Sequence, residues 1–150
     1  MCRRVFSEVM ISTVAVGTDG SPTADEAVNA AAEIARRFEA KVVLLSAFQD
    51  SGGRPSGSGS ADEIQWASSP AARVQEILAR AAQQMGGEGI ECETLVDEGD
   101  PAEVIVRLAE ECGADLLVIG NKGMQRRVLG SVPNTVTHKA PCAVLVVKTT

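Results

Sequence analysis

The chain has 150 residues, 45% hydrophobic and 23% charged, a balance that supports one ordinary domain and excludes a disordered chain. Fourteen Lys+Arg against 20 Asp+Glu give a net charge of −6. Such a surface repels a polyanion and argues against nucleic acid as a partner, but a single nucleotide held by backbone N–H groups stays open.

Met1-Cys2-Arg3-Arg4 has the basic start of a signal peptide, but Glu8 interrupts the apolar stretch behind it. No small-residue cleavage pattern appears before Gly17-Thr18-Asp19-Gly20. The start therefore reads as a short extension, and the expected compartment is the cytoplasm. Val9 to Val16 is an apolar, β-branched run and predicts the first strand. Ser21-Pro22 then supplies a capping residue and a proline at a position that a helix tolerates. Ala24, Ala27, Val28, Ala31, Ile34, Ala35 and Phe38 recur at helical spacing and predict that helix's buried face. Lys41 to Phe48 is the second strand, and its continuous apolar centre predicts cover on both faces.

Ser51-Gly52-Gly53 through Ser60 is rich in Gly and Ser and reads as a mobile surface loop at about 51–60. Too little chain flanks it for separate domains, so residues 1–150 read as one domain with a core from about 9 to 148. Trp66, just after this loop, reads as its anchor. Val74, Ile77, Leu78, Ala81, Ala82 and Met85 mark the second helix, closed by Gly86-Gly87. Ile90 to Val96 alternates more and predicts a half-exposed edge strand.

Asp100-Pro101-Ala102-Glu103 places Asp at the N-cap, Pro at the first helical position and Glu at the third, a variant of the capping box. Val104, Ile105, Leu108, Ala109 and Cys112 supply the buried face of the helix it opens. Asp115 to Ile119 is a buried strand that runs into Gly120. Ser131-Val132-Pro133 opens a last short helix, with Ser131 as a capping candidate. Ala143 to Val147 is the fifth strand.

Five strands separated by helices predict an α/β fold, a single doubly wound domain with a parallel sheet and helices on both faces. Ligands of such sheets sit beyond the strand C-termini where the strand order reverses. Gly17-Thr18-Asp19-Gly20 and the segment from Gly120 onward are expected to meet there. Gly120-Asn121-Lys122-Gly123 leads to Gly130-Ser131 at a helix start, where glycines admit close backbone approach and the helix dipole favours an anion. On spacing alone, this is either a phosphate cradle or a flexible turn before a capped helix. It is neither a P-loop nor a G-x-G-x-x-G fingerprint.

The chain resembles the universal stress proteins from about Val9 to Lys148. The resemblance lies in Val16-Gly17-Thr18-Asp19-Gly20-Ser21, Gly99 to Glu103, Ala114 to Gly120 with Asn121-Lys122-Gly123, Leu129 to Pro133, and Pro141 to Val147. It implies a five-stranded sheet in the order 3-2-1-4-5 and a homodimer paired through Val144 to Val147. An unpaired apolar edge of that kind also has its own physical motive to pair.

The ATP-binding branch of the family carries G-x2-G-x9-G-[ST]. Carried across, Gly17, Thr18 and Asp19 lie at the nucleotide, with Asp19 placing a Mg ion that travels with it. Main chain at Ala47 meets adenine, while Ile119, Gly120 and Lys122 approach base and ribose. Gly123, Gly130, Ser131 and Val132 hold phosphates. Here only six residues, Met124 to Leu129, separate the last two glycines, and Arg126 and Arg127 within them are candidates to pair with phosphate oxygens. The shorter loop brings AMP and cyclic AMP in beside ATP as ligands.

The resemblance implies a stress-response regulator that binds an adenine nucleotide. The alternatives are a ligand-free dimeric adaptor, and slow ATP hydrolysis or autophosphorylation. Asp19 is the only acid placed near the phosphates, so no catalytic residue is assigned. His138 is the single histidine and pairs with no cysteine or second histidine for triad chemistry. Cys2, Cys92, Cys112 and Cys142 form no C-x-x-C pair, and the last three read as buried small hydrophobes.

Overall fold

The computed structural model describes residues 11–49, 69–121 and 129–148. Nine elements alternate along it: β1 (Thr13–Gly17), α1 (Pro22–Phe38), β2 (Lys41–Phe48), α2 (Pro70–Gly87), β3 (Cys92–Glu98), α3 (Pro101–Glu111), β4 (Leu116–Asn121), α4 (Ser131–Lys139) and β5 (Ala143–Lys148). The strands form one parallel sheet in the order β3-β2-β1-β4-β5. The expected α/β architecture and strand order are both present.

Alternate residues of the central strands feed two cores. Val14, Val16, Val42, Leu44 and Val118 meet Ala27, Ala31 and Ala35 of α1 and Leu78 and Met85 of α2. Ala15, Val43, Leu45, Leu117 and Ile119 meet Val104, Ile105 and Leu108 of α3 and Val136 of α4. This double cover explains why β2 is a continuous apolar run rather than an alternating one.

The helix starts obey their capping residues. Ser21 Oγ accepts the N–H of Ala24 at 3.2 Å, and Ser69 does the same for Ala72. Asp100 Oδ2 accepts the N–H of Glu103 at 3.2 Å. The Glu103 side chain does not return to Asp100; it pairs with Lys139 Nζ at 2.5 Å and ties α3 to the end of α4.

Several boundaries differ from the sequence expectation because strand pairing sets them. β1 begins at Thr13, where its ladder with Lys41 begins; Val9 lies outside the described residues. β3 runs on to Glu98 because β2 pairs with it as far as Phe48, while Ile90 closes a turn against Met85. β4 runs through Gly120 to Asn121, paired with Lys148. Ser69 starts α2 five residues before the apolar periodicity at Val74 becomes visible. Phe38 was expected on the buried face but is 53% exposed. Glu39 turns the chain with φ 55°, and Ala40 takes the buried position instead. The Gly/Ser loop and Trp66 lie outside the described residues.

Asp115 fastens the lower end of the sheet at its centre. Its Oδ2 accepts the N–H groups of Ser12 and Thr13, each at 3.0 Å, and the Ser12 hydroxyl at 2.9 Å. The backbone donor of Ser12, with the further bonds from Ser12 and Thr13, holds the Asp115 carboxyl below the ordinary carboxylate range against partial burial. A carboxylate depressed in the folded state stabilises the fold above its unfolded pKa, and that stabilisation is lost as pH falls through the folded value. Asp115→Ala is expected to lower stability by about 1 kcal/mol at neutral pH, allowing for solvent screening. In denaturant titrations the deficit should shrink as pH drops below the ordinary carboxylate range. A deficit that does not change with pH would remove the carboxylate from this role.

Candidate functional site

The strand order reverses between β1 and β4, so the loops at their C-terminal ends diverge to opposite faces and leave a crevice above them. A cavity of about 380 Å³ occupies it, within the usual range for small-molecule sites. Its walls are mostly apolar: Ala24 from α1, Ala47 from β2, Pro101 and Ile105 from α3, Ile119 from β4 and Pro133 from α4.

One rim is the β1–α1 turn, held by a series of hydrogen bonds. Thr18 N–H donates to Leu45 C=O at 3.0 Å. Ser46, buried beneath the turn, donates its hydroxyl to Thr18 C=O at 2.7 Å. Thr18 Oγ1 accepts Gly20 N–H at 3.1 Å, and Asp19 Oδ1 accepts Ser21 N–H at 2.9 Å. Gly20 has φ +78°, and a Cβ there would meet Ile77 of α2 at 2.8 Å. Both conformation and space therefore require glycine. Asp19 is exposed at the cavity mouth and is the one acidic residue among the described lining residues.

The opposite rim is the start of α4. Gly130 is the N-cap and no side chain caps the helix. The expectation that Ser131 caps it is corrected, because Ser131 is already the first helical residue. Pro133 occupies the third helical position and has no N–H for a capping side chain to take. Asn134 N–H donates to Gly130 C=O at 2.9 Å. Among the described residues, the Ser131 and Val132 N–H groups meet no acceptor in the protein, and both residues line the cavity. The structure thus presents two backbone donors, the Ser131 hydroxyl and the positive end of a helix at one point on an apolar wall.

Of the sequence-selected residues, Gly17, Thr18, Asp19, Ala47, Ile119, Gly120, Gly130, Ser131 and Val132 all line this one cavity. Lys122, Gly123, Arg126 and Arg127 lie outside the described residues. Ile105, Ser46 and Asn121 were not selected. Ile105 was read only as a core position. Ser46 and Asn121 acquire their roles from Thr18 and Gly130; Asn121 stands within the quoted glycine motif, but nothing local gives either residue its role.

The remaining candidates sit apart from the cavity lining. His138 and Lys139 occupy the exposed last turn of α4, where positive charge suits the helix end. Cys92, Cys112 and Cys142 are free and half-buried rather than fully buried. Burial pushes the Cys92 thiol up to about 11 and raises the other two, so all three are protonated at neutral pH. Among the described residues no group of three or more His, Cys, Asp or Glu is placed to hold a metal ion. Nor, among them, is any helix long and apolar enough to cross a membrane.

An open doubly wound parallel sheet with a cavity at its switch point belongs to the class of α/β folds that seat small ligands beyond the strand C-termini. Within that class the family is specific. The model of the universal stress protein family matches residues 10–148, and the chain belongs to that family. A universal stress protein of Mycobacterium tuberculosis is 38% identical over 144 residues, covering 92% of this chain and 97% of the relative. A universal stress protein solved in complex with cAMP is 33% identical, with a TM-score of 0.72 over 94% of this chain and 99% of that one. The universal stress protein of Archaeoglobus fulgidus in complex with dAMP is 27% identical, with a TM-score of 0.62 over 91% of this chain and 98% of that one.

The rim bonds make Ser46 a test of how the site is built. Ser46→Ala is expected to lower stability by about 1–2 kcal/mol, because it leaves the Thr18 carbonyl without its buried donor. Urea denaturation measures this, and a cost near zero would contradict the role given to the serine.

Proposed function

We propose that this chain is a stress-response regulator that binds an adenine nucleotide in the cavity between β1 and β4. One observation carries the reading: a mostly apolar cavity ends at the Ser131 and Val132 N–H groups, which no acceptor among the described residues takes. Apolar walls suit a purine, and two successive amides with a hydroxyl at a helix start suit phosphate oxygens. In this reading adenine lies against Ala47, Ile105 and Ile119, the ribose lies over Gly17 and Gly120, and the phosphate sits at α4. The relatives solved with cAMP and dAMP support the same ligand class.

Two donors and one hydroxyl match a single phosphate group, so AMP and cyclic AMP fit the described part of the site directly. For ATP, Asp19 lies across the mouth, where it can contribute one oxygen to a Mg ion carried by the phosphates. A nucleotide-bound Mg takes its other ligands from phosphate and water, so one carboxylate suffices. We place the protein in the cytoplasm and read it as a homodimer through β5. That strand is a sheet edge on which Leu145 stands 37% exposed.

Calorimetric titration of nucleotide-stripped protein tests the ligand. AMP or cyclic AMP is expected to bind at least about tenfold more tightly than adenosine, the contribution of charge-assisted hydrogen bonds to the phosphate. Asp19→Asn is expected to weaken Mg-ATP severalfold and leave AMP unchanged. Flat traces for adenosine and for all three nucleotides would end the nucleotide reading and favour the adaptor alternative. For the assembly, Leu145→Lys is expected to convert a dimer to a monomer in sedimentation velocity, and a wild-type monomer at micromolar concentration would rule out the dimer.

A further inference from the structure

Asn121 ends β4 with 1% exposure, the most deeply buried of the polar residues in the described chain. Its Oδ1 accepts the N–H of Gly130 at 2.9 Å. A polar side chain held this deep is costly unless it bonds well, so the contact is a fixed part of the fold. It is also unusual in kind. A capping side chain ordinarily takes an N–H of the second or third helical residue. Here a side chain from a neighbouring strand takes the N–H of the cap residue itself, and the helix carries no side-chain cap.

This arrangement anchors α4 without using the Ser131 and Val132 N–H groups. Asn121 is in turn held by its pairing with Lys148 of β5, so the start of α4 is referenced to the sheet that forms the cavity floor. The same contact explains the glycine. Gly130 has φ −61°, which any residue adopts, but a Cβ there would stand 3.1 Å from Asn121 Oδ1. It is the approach of the asparagine, rather than backbone conformation, that would crowd a side chain there.

We infer that Asn121 is a positioning residue for phosphate recognition, gripping the N-cap of α4 so that the two helix-terminal amides remain aimed into the cavity. The inference rests on the nucleotide reading and extends it to a residue that does not line the cavity. Its consequence is selective: losing the grip weakens the part of binding that comes from the phosphate and spares the part that comes from the nucleoside.

The test titrates adenosine and AMP into wild type, Asn121→Ala, Gly130→Ala and the double variant, with amide exchange measured on the ligand-free proteins. Asn121→Ala is expected to lower AMP affinity about tenfold while adenosine changes less than about twofold. Exchange at Gly130 is expected to accelerate. Gly130→Ala reaches the same bond from the other side without removing the buried amide, and should give a similar selective loss. The double variant should lose no more than the worse single one, because both changes break one interaction. Equal losses for adenosine and AMP, unchanged AMP affinity in both single variants, or additive losses would each overturn the positioning role. A wild-type protein that binds neither adenosine nor AMP overturns this role before any variant is compared, and the nucleotide reading falls with it when cyclic AMP and ATP also give flat traces.

Discussion

Strand β1 pairs with β2 along one edge and with β4 along the other, all in parallel. Each strand of such a sheet must hand the chain to a helix on one face or the other. One face of the sheet packs on α1 and α2, and the other packs on α3 and α4. The two sets leave the sheet in opposite directions and open a gap above Gly17 and Ile119. The cavity is therefore a geometric consequence of strand order, present before any residue is chosen to line it. What the sequence adds is the choice of small and apolar walls, and of a helix start left uncapped at one end.

Rigidity at the rim comes from its polar groups rather than from the apolar walls. Thr18, Ser46 and the Asp19–Ser21 turn fix one side, and Asn121 with Gly130 fixes the other. A binding site gains affinity when its groups are already ordered, since the entropy of fixing them has been spent in folding. Asp115, at the far end of the same strands, does the equivalent work for the sheet itself by tying Ser12 and Thr13 to β4. Side-chain hydrogen bonds to backbone groups thus recur at both ends of the β1–β4 pair.

Legibility in the sequence tracked the range of the interaction. Asp100-Pro101-Ala102-Glu103 announces a helix start because a cap and its recipient lie three residues apart, and the structure has that bond. Lys41 to Phe48 is visible as a strand because double-sided burial leaves a continuous apolar run. Ser131 misleads for a local reason: the extended cap conformation falls one residue earlier, on Gly130, and Ser131 is already helical. Phe38 misleads because helical spacing does not reveal where the helix stops. The roles of Ser46 and Asn121 are invisible for a different reason: their partners, Thr18 and Gly130, become neighbours only after the sheet forms. Strand ends were displaced likewise, because a ladder ends where its neighbour ends rather than where local propensity fades.

The convergence of the α4 amides on a phosphate is the central claim, and nitrogen-15 NMR spectra of the wild-type protein address it directly. The backbone amides of Ser131 and Val132 are expected to shift strongly on addition of AMP and to stay nearly still with adenosine, while Ala47 and Ile119 respond to both. Shifts confined to the walls, identical for AMP and adenosine, would contradict a phosphate at the helix start.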